Sequence, residues 1–387
     1  MAALPLSDIL SSPPLVAASN PKATRVLLQS SANADTPYRA AVGESIIYDN
    51  TINAILWVDI DGKSIHELSL GESGNMVTYG PYSKKVCAIS LLSQSVGEDV
   101  GDTGWTPPPP GTRDLLIAWE DGFQLCRVRA ESSEISVELS EYSDGPETDE
   151  NGSRLNDGRC DRSGRRFICG GFVPEHEGVS VAVYDVVGGK PFSFGSDSPK
   201  TVAALTHGEI EGLDIPDLRV ANSTCFSPDG SQMYFADSPK RCIFAYDYNT
   251  NGGGGDSDDD DEEYVGDSIH LSNKRTVWSA QNDFVGVPDG SCVDAEGYVW
   301  NAVWREGLAP GCVNRIDPKS GEIVCTVGIP ENSSQTTCCC FGGPDLDVLF
   351  ISSAASGRTL DEEPYAGSIY AVKLDVKGLP ESRFVWD

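Results

Sequence analysis

The chain has 387 residues with 39% hydrophobic and 22% charged, a globular composition that fits two or three average domains or one large all-β domain. A formal charge of −31 argues against nucleic acid or an anionic membrane surface as partner. No apolar stretch is long enough to span a bilayer, and Met1 to Ala18 lacks the basic start and continuous apolar core of a secretory signal. The expected location is the cytoplasm.

Residues 1–37, rich in Ser, Pro and Ala, read as a partly ordered N-terminal extension with a short strand at Val26 to Gln29. From residue 38 the pattern is almost entirely strands. Ser45 to Asp49, Ala54 to Ile60 and Ser64 to Leu68 form the first unit. Leu115 to Trp119, a turn at Glu120-Asp121-Gly122, and Gln124 to Val128 form another. Asn156 to Asp161, Arg165 to Gly171 and Val179 to Asp185 follow.

The last three units are the clearest. Ser223 to Ser227 leads through Pro228-Asp229-Gly230 into Gln232 to Ala236, then Cys242 to Tyr248. Ser291 to Asp294 leads through Ala295-Glu296-Gly297 into Tyr298 to Val303, then Cys312 to Asp317. Thr337 to Phe341 leads through Gly342-Gly343-Pro344-Asp345 into Asp347 to Ser352, then Ser368 to Leu374. Units of about four strands recurring every ~50–65 residues predict an all-β, six-bladed β-propeller over residues 38–387.

Two insertions interrupt it. One, near 94–111, contains Pro107-Pro108-Pro109-Pro110, which cannot enter a sheet. The other, near 249–263, runs from four glycines into Asp256, Asp258, Asp259, Asp260, Asp261, Glu262 and Glu263. Taking those seven charges out of −31 leaves −24, so the folded body is acidic as well. The run lacks the turn glycine of an EF-hand loop and reads as a solvated insertion. The twelve cysteines contain no CxxC pair and read as buried small hydrophobes in a reducing compartment.

Four short signatures carry the chemistry: Gly43-Glu44-Ser45, Arg154-Leu155-Asn156-Asp157-Gly158, Ala221-Asn222-Ser223 and Val287-Pro288-Asp289-Gly290. Each precedes the inner strand of its own repeat, so a propeller brings Glu44, Asn156, Asn222 and Asp289 to one mouth of the central channel. Carboxylate and amide oxygens suit one hard divalent cation. Asn156-Asp157-Gly158 is also a strong turn signal, and Asp157 is read as turn structure. None of the four histidines forms an HExxH pattern and there is no GxSxG elbow, which excludes the usual zinc-protease and serine-hydrolase arrangements.

These signatures, with Leu56 to Ile60, Asp294-Ala295-Glu296-Gly297, Cys340 to Asp347 and Gly378-Leu379-Pro380-Glu381, resemble the senescence-marker-protein/gluconolactonase/regucalcin family, in particular its sugar-lactonase branch. The resemblance runs from Tyr38 to Phe384. It implies a divalent metal on Glu44, Asn222 and Asp289 (calcium, magnesium, manganese or zinc, with oxygen ligands favouring the first three). It also implies substrate contacts from Arg154, Asn156 and Glu175 or Glu177, and a catalytic role for Asp289. The expected activity is metal-dependent opening of a sugar (aldono-) lactone to the aldonic acid by activated water. The alternatives are a calcium-binding regulatory propeller, a hydrolase of another ester or organophosphate, and an interaction scaffold.

Overall fold

The computed structural model describes residues 5–26, 29–30, 33–71, 74–94, 108–144, 152–174, 181–188, 192–193, 201–202, 205–210, 212–249, 269–281, 284–307, 309–329 and 333–386. Most of both insertions lies outside these residues.

The protein is a six-bladed β-propeller of four-stranded antiparallel sheets. Blade 1 comprises Gly43–Asp49, Ala54–Asp59, Ser64–Ser69 and Met76–Tyr79. Blade 2 comprises Val86–Gln94, Thr112–Trp119, Gly122–Arg129 and Val137–Glu138. Blade 3 comprises Arg154–Cys160, Arg166–Phe172, Val183–Gly188 and Leu205–Glu209. Blade 4 comprises Ala221–Phe226, Gln232–Asp237, Cys242–Asn249 and His270–Ser279. Blade 5 comprises Val287–Val293, Val299–Trp304, Cys312–Ile316 and Ile323–Gly328. Blade 6 takes Thr336–Gly342, Val348–Ser353 and Tyr370–Lys373 from the end of the chain and its outer strand, Thr24–Arg25, from the beginning.

Tight hairpins let the inner strand turn back at once. Ser227 and Gln232 close the blade 4 hairpin, and Gly230 takes φ 72° at its tip. Gly164, Gly297 and Gly343 hold the same left-handed conformation in blades 3, 5 and 6, a conformation that strains any residue with a Cβ. Apolar side chains on alternating strand positions fill the wedges between blades, with Trp57 and Trp300 fully buried. Cys338 and Cys340 pack with blade 1 residues while Cys339 packs with blade 5, the alternation expected of a strand. All cysteines are free, and all but Cys242 are buried.

Each inner strand carries a bulge near its start. The register slips between Glu44 and Ile47, Val86 and Ala88, Leu155 and Gly158, Asn222 and Cys225, Pro288 and Ser291, and Thr336 and Cys339. One extra residue per blade breaks the in-out alternation and re-aims the side chains there. The opposite end of the channel is crossed by the C-terminal segment. Gly378 bridges to Asp294 of blade 5, and Arg383–Trp386 then pairs in parallel with Leu91–Gln94 of blade 2.

Candidate functional site at the bulged mouth of the channel

The bulges explain why the signature residues meet. Glu44 and Asn222 are the last residues paired before the slip, with Val58 and Ala236, while Asn156 and Asp289 fall inside it, so all four lie in the inner strands rather than ahead of them. All four are buried, with relative exposures of 7%, 8%, 4% and 5%. Polar groups buried this deeply at a channel mouth are costly unless something compensates them.

Most of that compensation comes from neighbouring blades. Asn156 Nδ2 donates to Asn222 Oδ1 at 3.1 Å and to the Ala221 carbonyl at 2.9 Å. Asn222 Nδ2 donates to Ser238 Oγ at 2.8 Å, which in turn donates to the Pro288 carbonyl at 2.7 Å. Arg154 Nη1 donates to Asn156 Oδ1 at 2.6 Å, and its guanidinium lies 4.4 Å from the centre of the Phe172 ring. These contacts string Arg154, Asn156 and Asn222 into one line across blades 3 and 4.

The residue after each signature position forms a second tier that ties adjacent blades. Ser45 Oγ accepts from Ile89 N–H at 3.1 Å, Asp157 Oδ2 accepts from Thr224 N–H at 2.8 Å, and Ser223 Oγ donates to the Asp289 carbonyl at 2.6 Å. Thr337 Oγ1 donates to the Gly43 carbonyl. In blade 5 the position is Gly290, where a Cβ would come within 2.6 Å of Cys338 Sγ. Asp157 is therefore not a turn residue. It is a buried carboxylate in a strand bulge, and the Asn-Asp-Gly run that suggests a turn supplies the bulge instead.

The acids are left with too little positive charge. Glu44 and Asp289 are close enough to act on each other's ionisation. Burial, then the charge of Asp157, pushes Glu44 up to about 8. Burial, then Glu44, then Asp157, raises Asp289 well above the usual carboxylate range. With both raised, the pair favours a shared proton over two buried negative charges. Each also accepts a main-chain N–H: Glu44 Oε2 from Ser45 at 3.0 Å and Asp289 Oδ1 from Gly290 at 3.1 Å.

A divalent cation in place of that shared proton would meet two carboxylates and the remaining lone pair of Asn222 Oδ1, an all-oxygen set. Among the described residues no three acidic, histidine or cysteine side chains gather in ligating reach, so such a cation takes two carboxylates at most. Asp157 is excluded because it is turned to Thr224. Glu175 and Glu177 lie outside the described residues. Ser238 and the bridging tier escape sequence reading, although Ser45 and Ser223 stand beside the signature residues in the chain.

Comparison with known proteins gives the family and the fold. A family model described as SMP-30/Gluconolactonase/LRE-like region matches residues 42–355. The regucalcin of Xenopus laevis is 28% identical over 347 residues, covering 89% of this chain and 94% of its own. A luciferin-regenerating enzyme superposes with a TM-score of 0.63 at 23% identity, covering 89% of this chain and 96% of its own. A calcium-binding protein, regucalcin, from Agrobacterium tumefaciens gives a TM-score of 0.61 at 23% identity, covering 89% and 94%.

Proposed function

Because the chain belongs to the SMP-30/gluconolactonase/LRE-like family, we propose that it is a metal-dependent hydrolase that opens a sugar lactone to the corresponding aldonic acid. The observation that carries this reading is the buried Glu44–Asp289 carboxyl pair beside the Arg154–Asn156–Asn222 line. The family and its regucalcin relatives support lactonase or calcium-binding function in general terms.

Glu44, Asn222 and Asp289 would hold the cation, and a bound divalent cation supplies polarisation of the lactone carbonyl and a lower pKa for water. Asp289, the buried carboxylate beside that position, would be the residue to accept the proton that water loses. Arg154, held by Asn156 and stacked on Phe172, presents its remaining donors to a sugar hydroxyl or to the carbonyl oxygen as charge develops. Asn156 has its amide oriented by Ala221 and orients Arg154, so both residues stand ready before substrate arrives.

A calcium-binding role without turnover is the second reading, and the relatives' names favour it. The Arg154–Asn156 pair weighs against it, because holding a cation does not require a guanidinium at the mouth. Proton release over a panel of aldonolactones, with EDTA and then Ca²⁺, Mg²⁺, Mn²⁺ or Zn²⁺ added back, separates them. EDTA-sensitive hydrolysis is expected. Cation binding with no hydrolysis of any lactone would leave the regulatory reading standing.

A further inference from the structure

Blade 5 differs from the others one strand behind the site. Ser291, just past the bulge that carries Asp289, is paired with Asn301 on the second strand. The corresponding partners in the other blades are Leu56, Ala118, Cys169, Tyr234 and Ile351, all members of the packed apolar wedges. Only the blade that carries Asp289 places a carboxamide there, and Asn301 is 1% exposed.

All the bonding of that amide is on its donor side. Asn301 Nδ2 lies 2.9 Å from the Asp289 carbonyl, 3.0 Å from Ser291 Oγ and 3.1 Å from Ser223 Oγ. Ser223 Oγ itself donates to the same Asp289 carbonyl at 2.6 Å, so two donors from two blades converge on one oxygen. The other end of the amide gains nothing: Asn301 Oδ1 is buried without a partner among the described residues. An apolar residue would avoid that cost, as it does in the sister blades. What the amide supplies in return is a clamp on the main chain of Asp289.

We infer that Asn301 is a positioning residue: its amide fixes the blade 5 bulge and thereby aims the Asp289 carboxylate at Glu44. The extra residue of the bulge has no ladder partner, so its peptide depends on other contacts for its orientation. With Ser223 alone on the Asp289 carbonyl, the peptide is free to turn and carry the carboxylate away from Glu44. Asn301 sits on the second strand and bonds the Asp289 main chain rather than its carboxylate, so it acts through Asp289 only. The inference about cation affinity rests on the metal-dependent reading of the site; the inference about the bulge does not.

The test compares Asn301→Val with Asn314→Val in the full chain. Asn314 is the cross-strand neighbour of Asn301, buried at 2% exposure, and its side chain accepts from Thr326 Oγ1 at 2.9 Å, away from the bulge. Titration with Mn²⁺ should show affinity about 10- to 100-fold weaker in Asn301→Val, the usual effect of removing a residue that orients a ligand, and within twofold of wild type in Asn314→Val. A crystal structure of cation-free Asn301→Val should show the Asp289 peptide displaced. Wild-type affinity with an unmoved peptide, or equal losses in both variants, overturns the inference. If wild type binds no cation, the metal reading fails, and the position of the Asp289 peptide in the crystal structure decides by itself. If the valine variant does not fold, Asn301→Thr, which keeps strand propensity and one donor, should show the same displacement in smaller measure; an unmoved peptide there also overturns it.

Discussion

The two ends of the channel are built from the same six strands and treat charge in opposite ways. At the floor, Arg159 of blade 3 pairs with Glu381 of the C-terminal segment at 2.9 Å, both side chains 12% exposed. Arg162 adds a hydrogen bond to the Pro380 carbonyl at 3.0 Å, and Val385 N–H donates to Gly164. Arg383 binds Asp49 of blade 1. The chain thus neutralises its own charge there and seals the opening with its own backbone. At the mouth, burial raises both Glu44 and Asp289, with Asp157 close enough to raise both further. The contrast teaches where to look for function: one end is closed by the chain's own charges, and the other leaves buried acids uncompensated, which is what the proposed cation site requires.

The sharpest way to break this contrast is Asp289→Asn, which keeps size and removes one charge. Cation binding measured by calorimetry should disappear and lactone turnover should fall by about 10³-fold or more, the scale of losing a proton acceptor together with a ligand. The cation-free protein should be no less stable, because the substitution removes a buried ionisable group and keeps its size. Turnover within tenfold of wild type would take Asp289 out of the site. At the other end, Glu381→Ala leaves Arg159 buried without its salt-bridge partner and should cost about 3–5 kcal/mol in urea denaturation. Mn²⁺ affinity should stay within twofold, and a comparable loss of affinity would mean that the two ends are coupled.

The pH dependence sharpens the same point. Glu44 has its pKa raised from 4.5 to about 8 in the folded chain, so between those values the folded state holds a proton that the unfolded state has released. The contribution of Glu44 to stability is therefore full below 4.5 and is lost as pH rises toward 8. In EDTA, the urea midpoint of wild type should fall relative to Glu44→Gln over that range, and saturating Mn²⁺ should remove the difference. A difference that grows the other way would show that the pair is already ionised. The smallest effect belongs to Arg154→Lys, which keeps the charge but loses the planar guanidinium that stacks on Phe172 while its Nη1 bonds both Asn156 and the Leu155 carbonyl. KM for lactone should rise about tenfold with cation affinity unchanged, and a lost cation would move Arg154 from substrate to metal.

The mouth was legible in the chain because it follows the repeat. Glu44 and Asn222 stand at one ladder position in their own units and Asp289 one residue further on, so counting units sets all three at the same end of the channel. The floor was not legible in this way. Arg159 and Glu381 lie 222 residues apart and meet only because the tail doubles back under blade 3. Gly378-Leu379-Pro380-Glu381 stood out as a family resemblance, but nothing local says that it lies against a channel. Asp157 misled because Asn-Asp-Gly satisfies the chemistry of a turn and of a bulge alike. Asn301 was hidden by its surroundings: Val299, Trp300, Ala302 and Val303 read as a buried strand, and one amide within it changes no periodicity.

The outer strand of blade 6 has a consequence for how the ring closes. Thr24 and Arg25 pair with Ala371 and Tyr370, so the last sheet is completed by segments far apart in the sequence. A molecule in which the other sheets have formed and this pairing has not is an open arc, with a bare strand edge on blade 6. Closure is therefore a step of its own, and the edge it covers is a place where an unfinished molecule could pair with another chain.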